Sequence, residues 1–201
     1  MAIALSVQAR QDLAAVQALP LLPGNPLVYL DIADGEAALG RITIQLRADA
    51  VPRTAENFRA LCVGAMGWGY KGSPLPNVEK GRRVFGGDFF GAGQSGFSIY
   101  GDSFEDESFE LRHLGPGTVG MRNCGPNSNN SQFYISFKAL PELDGRCVVV
   151  GYVVEGWSVL RQLDKGARTS GGRFREEHEF RVVGCGERKG GSRDGLRERV
   201  L

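Results

Sequence analysis

The stretch GPGTVGMRNCGPNSNNSQFYI, residues 115–135, shows the architecture of the chain most clearly. Residues 119–121 and residues 131–136 have the composition of short strands, with β-branched and aromatic side chains. Between them, glycine, proline and asparagine mark a polar loop that turns the chain back. The stretch therefore predicts two short strands joined by a long connection, which is typical of antiparallel β proteins.

Similar strand signals recur on both sides of this stretch. Residues 28–32 and 179–185 are strand-like, and the apolar run 148–154 predicts a central strand. In residues 42–46, isoleucine and leucine alternate with threonine and glutamine, which predicts one buried face and one wet face. Many short strands favour an all-β fold closed into a barrel, because closure removes exposed sheet edges.

Two amphipathic helices are predicted among the strands, and a weaker helix precedes them. Pro52 can open the first helix and Gly64 closes it. The second helix begins near Trp157 and stops near Gly166. The alanine-rich residues 2–19 show a weak helical stripe, which we interpret first as a tail or linker helix.

These elements divide the chain into three parts. Residues 1–26 are expected to form an N-terminal helical extension or linker, which a cluster of prolines ends. Residues 27–187 are expected to form the folded domain. Residues 188–201 are polar and interrupted by glycine, so they are predicted to be a disordered tail.

The composition excludes several classes of protein. Of the 201 residues, 42% are apolar, which is enough for a sizeable core and argues against global disorder. The 24 basic and 23 acidic side chains leave a net charge of +1, so no partner among nucleic acids or membranes is expected. No apolar stretch reaches the length of a transmembrane helix.

The cysteines give no sign of a metal site. Cys62, Cys124, Cys147 and Cys185 form no CxxC pair, and the two histidines lie far from them at any ligand spacing. We therefore expect no metal and no cofactor. Because no secretory signal is recognisable, we expect a cytoplasmic or nuclear setting, in which the cysteines are free thiols that act as small buried apolar side chains.

Seven motifs stand in order along the chain and are more specific than the strand pattern. They are VPRTAENFRALCVG (51–64), GYKGS (69–73), GGDF (86–89), SIYGDSFEDESFELRH (98–113), GPGTVGMRNCGPNSNNSQFYI (115–135), LDGRCVVVGYVVEG (143–156) and VVGCGE (182–187). Together they resemble the cyclophilin family of peptidyl-prolyl cis-trans isomerases over about residues 27–187. The resemblance implies an eight-stranded antiparallel barrel capped by two helices, with a shallow apolar groove that accepts a proline-containing peptide.

Prolyl isomerisation needs neither a nucleophile nor a metal. Its barrier comes from the partial double-bond character of the amide, and uncatalysed exchange takes tens to hundreds of seconds. A catalyst therefore needs an apolar socket for the proline ring, a fixed cationic donor for the twisted amide, and partners for the flanking backbone. The resemblance implies an arginine as the donor, a socket of apolar side chains with a histidine and a glutamine nearby, and a tryptophan at the rim.

Counting from the GGDF motif places these family positions on the chain, and most of the residues are replaced. The position of the catalytic arginine is Asn77. The socket phenylalanine and methionine become Arg82 and Arg83, and the strand glutamine becomes Phe85. An asparagine carries no charge and cannot mimic a guanidinium fork. No residue is therefore assigned a catalytic role.

The rest of the groove is partly preserved. The second socket phenylalanine becomes Tyr134, the socket histidine becomes Cys147, and the rim tryptophan becomes Glu142, whereas Leu143 matches. Among the other substrate-binding positions, Arg122 and Cys124 replace alanines, and Asn123 and Gln132 match. A neighbouring secondary pocket is better preserved, and its lining comprises Asp102, Ser103, Cys124, Asn127, Ser128 and Gln132.

Several interpretations of the new charges stay open. Because residues 83 and 85 share one face of a strand, Arg83 is expected to point into the groove beside Phe85. Arg82 or Arg83 could replace the missing cation, although a misplacement of about 1 Å can cost about 100-fold in rate. Glu142 could pair with Arg122 or Arg83 and so seal or repurpose the groove. Alternatively, the charges simply face water.

Two further features receive plain interpretations. His113 stands between charged and turn residues, so we interpret it as an ordinary loop histidine. The acidic run 105–107 is interpreted as a solvated face that binds nothing.

Three functions remain as hypotheses. The first is a cyclophilin-like domain with little or no isomerase activity that binds a peptide or protein. The second is an active but weak isomerase that assists protein folding. The third is a structural component docked in a larger assembly through residues 2–19. Cyclosporin-type ligands are expected to bind weakly, because the rim tryptophan is missing.

Overall fold

A computed structural model describes residues 7–89, 96–166 and 178–188 of the chain. The predicted tail 188–201 lies outside the described residues, except for its first residue. The elements in chain order are α1 (Val7–Gln17), β1 (Leu27–Asp34), β2 (Ala37–Leu46), α2 (Pro52–Val63), β3 (Asn77–Glu79), β4 (Arg83–Gly86), β5 (Thr118–Met121), β6 (Phe133–Ser136), a 3-10 turn (Pro141–Leu143), β7 (Val149–Glu155), α3 (Trp157–Gly166) and β8 (Phe180–Glu187). The β-rich, antiparallel architecture expected from the sequence is confirmed.

The eight strands form one curled sheet around an apolar core, in the order β3-β4-β6-β5-β7-β2-β1-β8. Strands β3 and β8 are its edges, and the segment just before β3 bridges them. The Val182 N–H donates to the Ser73 carbonyl at 2.9 Å. The Leu75 N–H donates to the Phe180 carbonyl at 2.8 Å. The expected closed barrel is thus wrong in one respect, since the strand ladder is open at β3 and β8 and a loop spans the gap.

Helix α2 begins and ends where the sequence predicts. Pro52 occupies its first turn, where a missing N–H costs nothing. Gly64 ends it in the left-handed region, at φ 67°. The apolar side chains expected on its buried face are buried, namely Ala55, Phe58, Leu61 and Cys62.

The outer face of β2 is covered at Thr43 and Gln45, whereas Arg41 on the same face is exposed, as the alternating pattern predicts. Thr43 is 1% exposed and its hydroxyl donates to the Glu155 carboxylate at 2.8 Å. Gln45 is 6% exposed because the segment before β1 lies over it. The Gln45 side chain accepts from the Leu22 N–H at 3.0 Å and donates to the Leu22 carbonyl at 3.1 Å. Specific hydrogen bonds therefore replace the water that the sequence pattern predicts.

Helix α1 packs against the barrel. Val16 is 3% exposed and contacts Val149 and Tyr152 of β7. A Cβ atom at residue 115 would collide with the main-chain carbonyl of Asp12. The helix backbone therefore lies directly on Gly115. The domain boundary placed after residue 26 stays a prediction.

Candidate functional site

Strand β4 places Arg83 and Phe85 on one face of the sheet, as their spacing predicts. The Arg83 guanidinium carbon lies 4.6 Å from the centroid of the Phe85 ring and 5.1 Å from that of Tyr134, on the adjacent strand β6. Phe85 is only 7% exposed and Tyr134 only 1%. A cation thus covers both rings, of which Tyr134 stands at a socket position of the resemblance and Phe85 at the neighbouring strand glutamine position.

The charge of Arg83 has a partner directly across the β3–β4 hairpin. Glu79 faces Arg83 in the register of the two strands. The Arg83 Nε–H donates to Glu79 Oε2 at 2.9 Å, and the Arg83 side chain is 16% exposed. A half-buried guanidinium is costly without a counter-charge, and the hairpin itself supplies one. The pair therefore holds Arg83 over the two rings.

Asn77 occupies the place of the arginine donor at the start of β3. It lies opposite Phe85 in the hairpin register. Its Oδ1 atom is buried and has no hydrogen-bond partner. Because the carboxamide is uncharged, it cannot stabilise the twisted prolyl amide as a guanidinium does.

The rim of the groove carries an ion pair. Arg82 Nη2–H donates to Glu142 Oε1 at 3.1 Å, with the two side chains 40% and 50% exposed. Arg82 also lies 3.4 Å from the Glu79 carboxylate. The hypothesis that Glu142 pairs with Arg122 or Arg83 is therefore wrong, because the nearest cation across the rim is Arg82. Arg82 and Arg83 are both engaged by glutamates, so neither is a free replacement for the donor.

Arg122 approaches Phe85 from the loop after β5. Its guanidinium carbon is 5.3 Å from the ring centroid. Its main-chain N–H donates to the Gln132 carbonyl at 3.0 Å, which ties this loop to the chain entering β6. Within the described residues, no carboxylate pairs with the Arg122 side chain.

A buried hydrogen-bonded chain that no sequence pattern indicates lies behind Tyr134. His113, interpreted as an ordinary loop histidine, is 2% exposed. Its Nδ1 is 2.7 Å from Asp144 Oδ1, and its Nε2 is 2.6 Å from the Tyr134 hydroxyl. A carboxylate only accepts, so Nδ1 carries the proton and Nε2 accepts from the hydroxyl. No local pattern indicates this contact, because Asp144 lies 31 residues from His113 in the sequence.

The pKa values of these groups fit a chain that is neutral apart from Asp144. Burial lowers the pKa of His113, although Asp144 opposes this shift. Burial raises the pKa of Tyr134, and it also raises the pKa of the neighbouring Cys147 thiol. Burial disfavours the charge on Asp144, but hydrogen bonds from His113 outweigh it and lower the pKa of that carboxyl. Cys147, at the socket histidine position, is thus a protonated thiol and not an activated nucleophile.

The other residues predicted for the groove hold loops in place. The Asn123 amide donates to the Arg146 carbonyl at 2.7 Å, which fixes the turn that contains Leu143 and Cys147. Leu143 is half-buried at the end of the 3-10 turn. Gln132 is 4% exposed just before β6. Asn123 therefore connects the loop after β5 to the turn that carries Leu143 and Cys147.

Two loops that carry residues predicted for the secondary pocket are joined through Asp106. The Asp106 N–H donates to the Asn127 side-chain oxygen, and the Asn127 N–H donates back to the Asp106 carboxylate, both at 2.9 Å. The Ser128 hydroxyl accepts from the Cys124 N–H at 2.9 Å. Asp102 and Ser103 are exposed beside these loops. Asn127 adopts a left-handed conformation, with φ 59°, which asparagine tolerates well.

The acidic run is not a solvated face that binds nothing. Glu107 accepts from the N–H groups of Arg53 and Thr54, at 2.9 and 2.8 Å, and so caps the start of α2. Val51, at the usual capping position, has no side-chain cap. Glu105 pairs with the Arg53 side chain at 3.1 Å. Segments distant in sequence therefore meet here, and no local pattern could indicate it.

Other kinds of site receive no support from the described residues. They contain no group of three or more histidine, cysteine or acidic side chains arranged to hold a metal ion. In the same ranges, no helix has the length and apolar character needed to cross a membrane. Only Cys62 among the four cysteines is fully buried, and Cys124 is exposed, so the expectation that all four are buried is wrong.

The fold agrees with a comparison against models of protein families. The model described as cyclophilin type peptidyl-prolyl cis-trans isomerase/CLD matches residues 29–187, which is well over half of the chain. The chain therefore belongs to the cyclophilin family. Domains of this family bind proline-containing peptides. In this member, Arg83 covers the rings of Phe85 and Tyr134, and Asn77 stands at the donor position, so its groove differs from that expectation.

Proposed function

We propose that this cyclophilin domain is a peptide- or protein-binding module with little or no isomerase activity. The observation that carries the proposal is the position of Arg83 over Phe85 and Tyr134. A proline ring would pack on Tyr134, which stands at a socket position and is 1% exposed, beside Phe85, which is 7% exposed. Moving a paired guanidinium aside would break its bond to Glu79 and leave a charge without its partner.

The lack of a cation at the family's donor position supports the same proposal. Asn77 carries no charge, and the glutamates Glu79 and Glu142 engage both arginines that were candidates to replace the donor. Preorganised charge at the reacting amide is usually the largest contribution to catalysis. Its absence favours binding over turnover, and makes the weak isomerase the less supported hypothesis.

The test is exchange spectroscopy by NMR on a short proline peptide, which measures cis-trans interconversion directly. We expect the rate with the protein to equal the rate in buffer. Acceleration that scales with protein concentration would overturn the proposal. The control is the same assay with an active cyclophilin, which shows that the peptide is a competent substrate.

The proposal also covers partners and location. We expect a partner that is a peptide or a protein surface, with weak cyclosporin binding because Glu142 replaces the rim tryptophan. The third hypothesis, docking through residues 2–19, has less support because α1 packs Val16 on its own barrel. Four unpaired cysteines support a cytoplasmic or nuclear setting, where thiols stay reduced.

A further inference from the structure

Two guanidinium groups share one aromatic ring in the groove. Those of Arg83 and Arg122 both lie within 5.3 Å of the centroid of Phe85. Each guanidinium is attracted to the negative face of the ring, but two like charges beside one phenyl group also repel each other. An anion between or beside them would relieve that repulsion, whereas a third cation or an apolar ring would not.

Arg122 is the arginine beside Phe85 that lacks a carboxylate partner among the described residues. Glu79 engages Arg83, and Glu142 engages Arg82. The Asp144 carboxylate, behind Tyr134, is held by His113. The positive charge of Arg122 is therefore available to a ligand.

We propose that this groove recognises an anionic side chain of a partner peptide, a carboxylate or a phosphate, which binds Arg122 with help from Arg83. The inference rests on the proposed function, since it assumes that the groove still binds a peptide. Guanidinium groups suit this task because their planar donors bind carboxylates and phosphates in a bidentate way. The Phe85 ring beneath holds the arginines and excludes water from one side.

The preference for an anion over a proline follows from the same contacts. A proline ring would have to displace Arg83 from Phe85 and Tyr134, whereas an acidic side chain meets Arg122 without moving it. Arg122 is partly exposed to solvent. The groove would thus have exchanged the family's apolar ligand for a charged one.

The experiment compares four peptides that differ only at the central residue, which is glutamate, glutamine, phosphoserine or proline. Binding is measured by calorimetry and by the shifts of the arginine Nε–H resonances. We expect the glutamate and phosphoserine peptides to bind at least about 10-fold more tightly than the glutamine peptide, which is about 1.4 kcal/mol. Their relative affinity identifies whether a carboxylate or a phosphate is preferred. Raising the salt from about 0.05 M to about 0.5 M should remove most of the difference.

A matched pair of variants locates the binding. Arg122→Gln should abolish the preference for the anionic peptides, while Arg10→Gln, at an exposed arginine of α1, should leave it unchanged. Thermal unfolding of both variants checks that the fold is intact. Equal binding of the glutamate, glutamine and proline peptides, or no binding of any, would overturn the inference. So would equal affinities of the two variants.

The two proposals fail in different ways. Isomerase turnover in the exchange assay would overturn the proposed function, whatever the peptide preference. An inactive protein that binds the proline peptide best would overturn only the anionic ligand.

Discussion

Arg83 and Glu79 face each other across the β3–β4 hairpin, and their side chains meet at 2.9 Å over the floor of the groove. In an antiparallel pair, directly opposite side chains are the natural place for opposite charges. The pair fixes a guanidinium on the surface that a peptide ligand must use. It therefore connects the stability of the hairpin to what the groove can bind.

Glu79→Gln should destabilise the protein, because it leaves Arg83 16% exposed without its counter-charge. We expect a loss of about 1–2 kcal/mol in the free energy of unfolding, between the values for exposed and fully buried pairs. Urea denaturation measures it.

The matched comparison for this pair is the double variant E79Q/R83M. Removing both charges should cost less than the sum of the two single changes, with a coupling of about 1 kcal/mol. Strictly additive costs would show that the pair contributes nothing, and the role given to Glu79 would be wrong.

Asn77→Arg alone should not restore isomerase activity. A cation at residue 77 still faces a proline site covered by Arg83, and Glu142 remains at the rim. The triple variant N77R/R83M/E142W removes these obstacles and should accelerate exchange above the rate in buffer. NMR exchange spectroscopy on a proline peptide measures both variants. Activity in N77R by itself would show that the covered rings are not the obstacle.

Stability should fall on acidification below about pH 6.5, the ordinary pKa of histidine. The folded state holds the pKa of His113 below that value, so the unfolded chain takes up a proton first. Stability is fully present above pH 6.5 and declines as the pH drops toward the folded-state pKa. The groups around the ring are Asp144 and Glu142, which favour its charged form, and Arg83, which opposes it. Tyr134 is hydrogen-bonded to it.

An NMR titration of the His113 ring tests this directly. We expect its resonances to change only at a pH below that of a free histidine, and urea midpoints to fall over the same range. His113→Gln should flatten this part of the stability profile if the variant folds. A ring that titrates at or above pH 6.5 contradicts the assignment of a neutral histidine.

Glu107→Ala should destabilise α2. It removes the acceptor for two N–H groups at the helix start, where Val51 supplies none. Loss of a capping acceptor costs about 0.5–2 kcal/mol. The matched control is Glu105→Ala, two residues away, whose contact with Arg53 is at the surface and should matter little. Equal effects of the two substitutions in urea denaturation would contradict the capping role.

Local sequence signals predicted the ends of helix α2 and the faces of strand β4 well. Pro52 and Gly64 mark the ends of α2 because proline and glycine impose backbone geometry without help from distant residues. The spacing of Arg83 and Phe85 placed both on one face for the same reason, since alternation is a local property of strands.

The errors arose where distant segments meet. Gln45 was expected to face water, but Leu22 covers it, and nothing near residue 45 indicates that contact. His113 looked like a loop residue because Asp144 and Tyr134 reach it only through the fold. The expected pairing of Glu142 with Arg122 or Arg83 was wrong for the same reason. Pairing at the site depends on side-chain direction across strands, which a linear pattern does not contain.

The place where β8 meets the residues before β3 affects how the chain folds. Strand β8 pairs with β1 on one side and with the residues before β3 on the other, so it completes the ring of backbone contacts. Until it docks, both neighbouring edges expose unpaired N–H and C=O groups that another chain could bind. During synthesis on the ribosome, these edges stay unpaired until residues up to Glu187 have left the exit tunnel, because β8 is the last strand of the sheet in chain order.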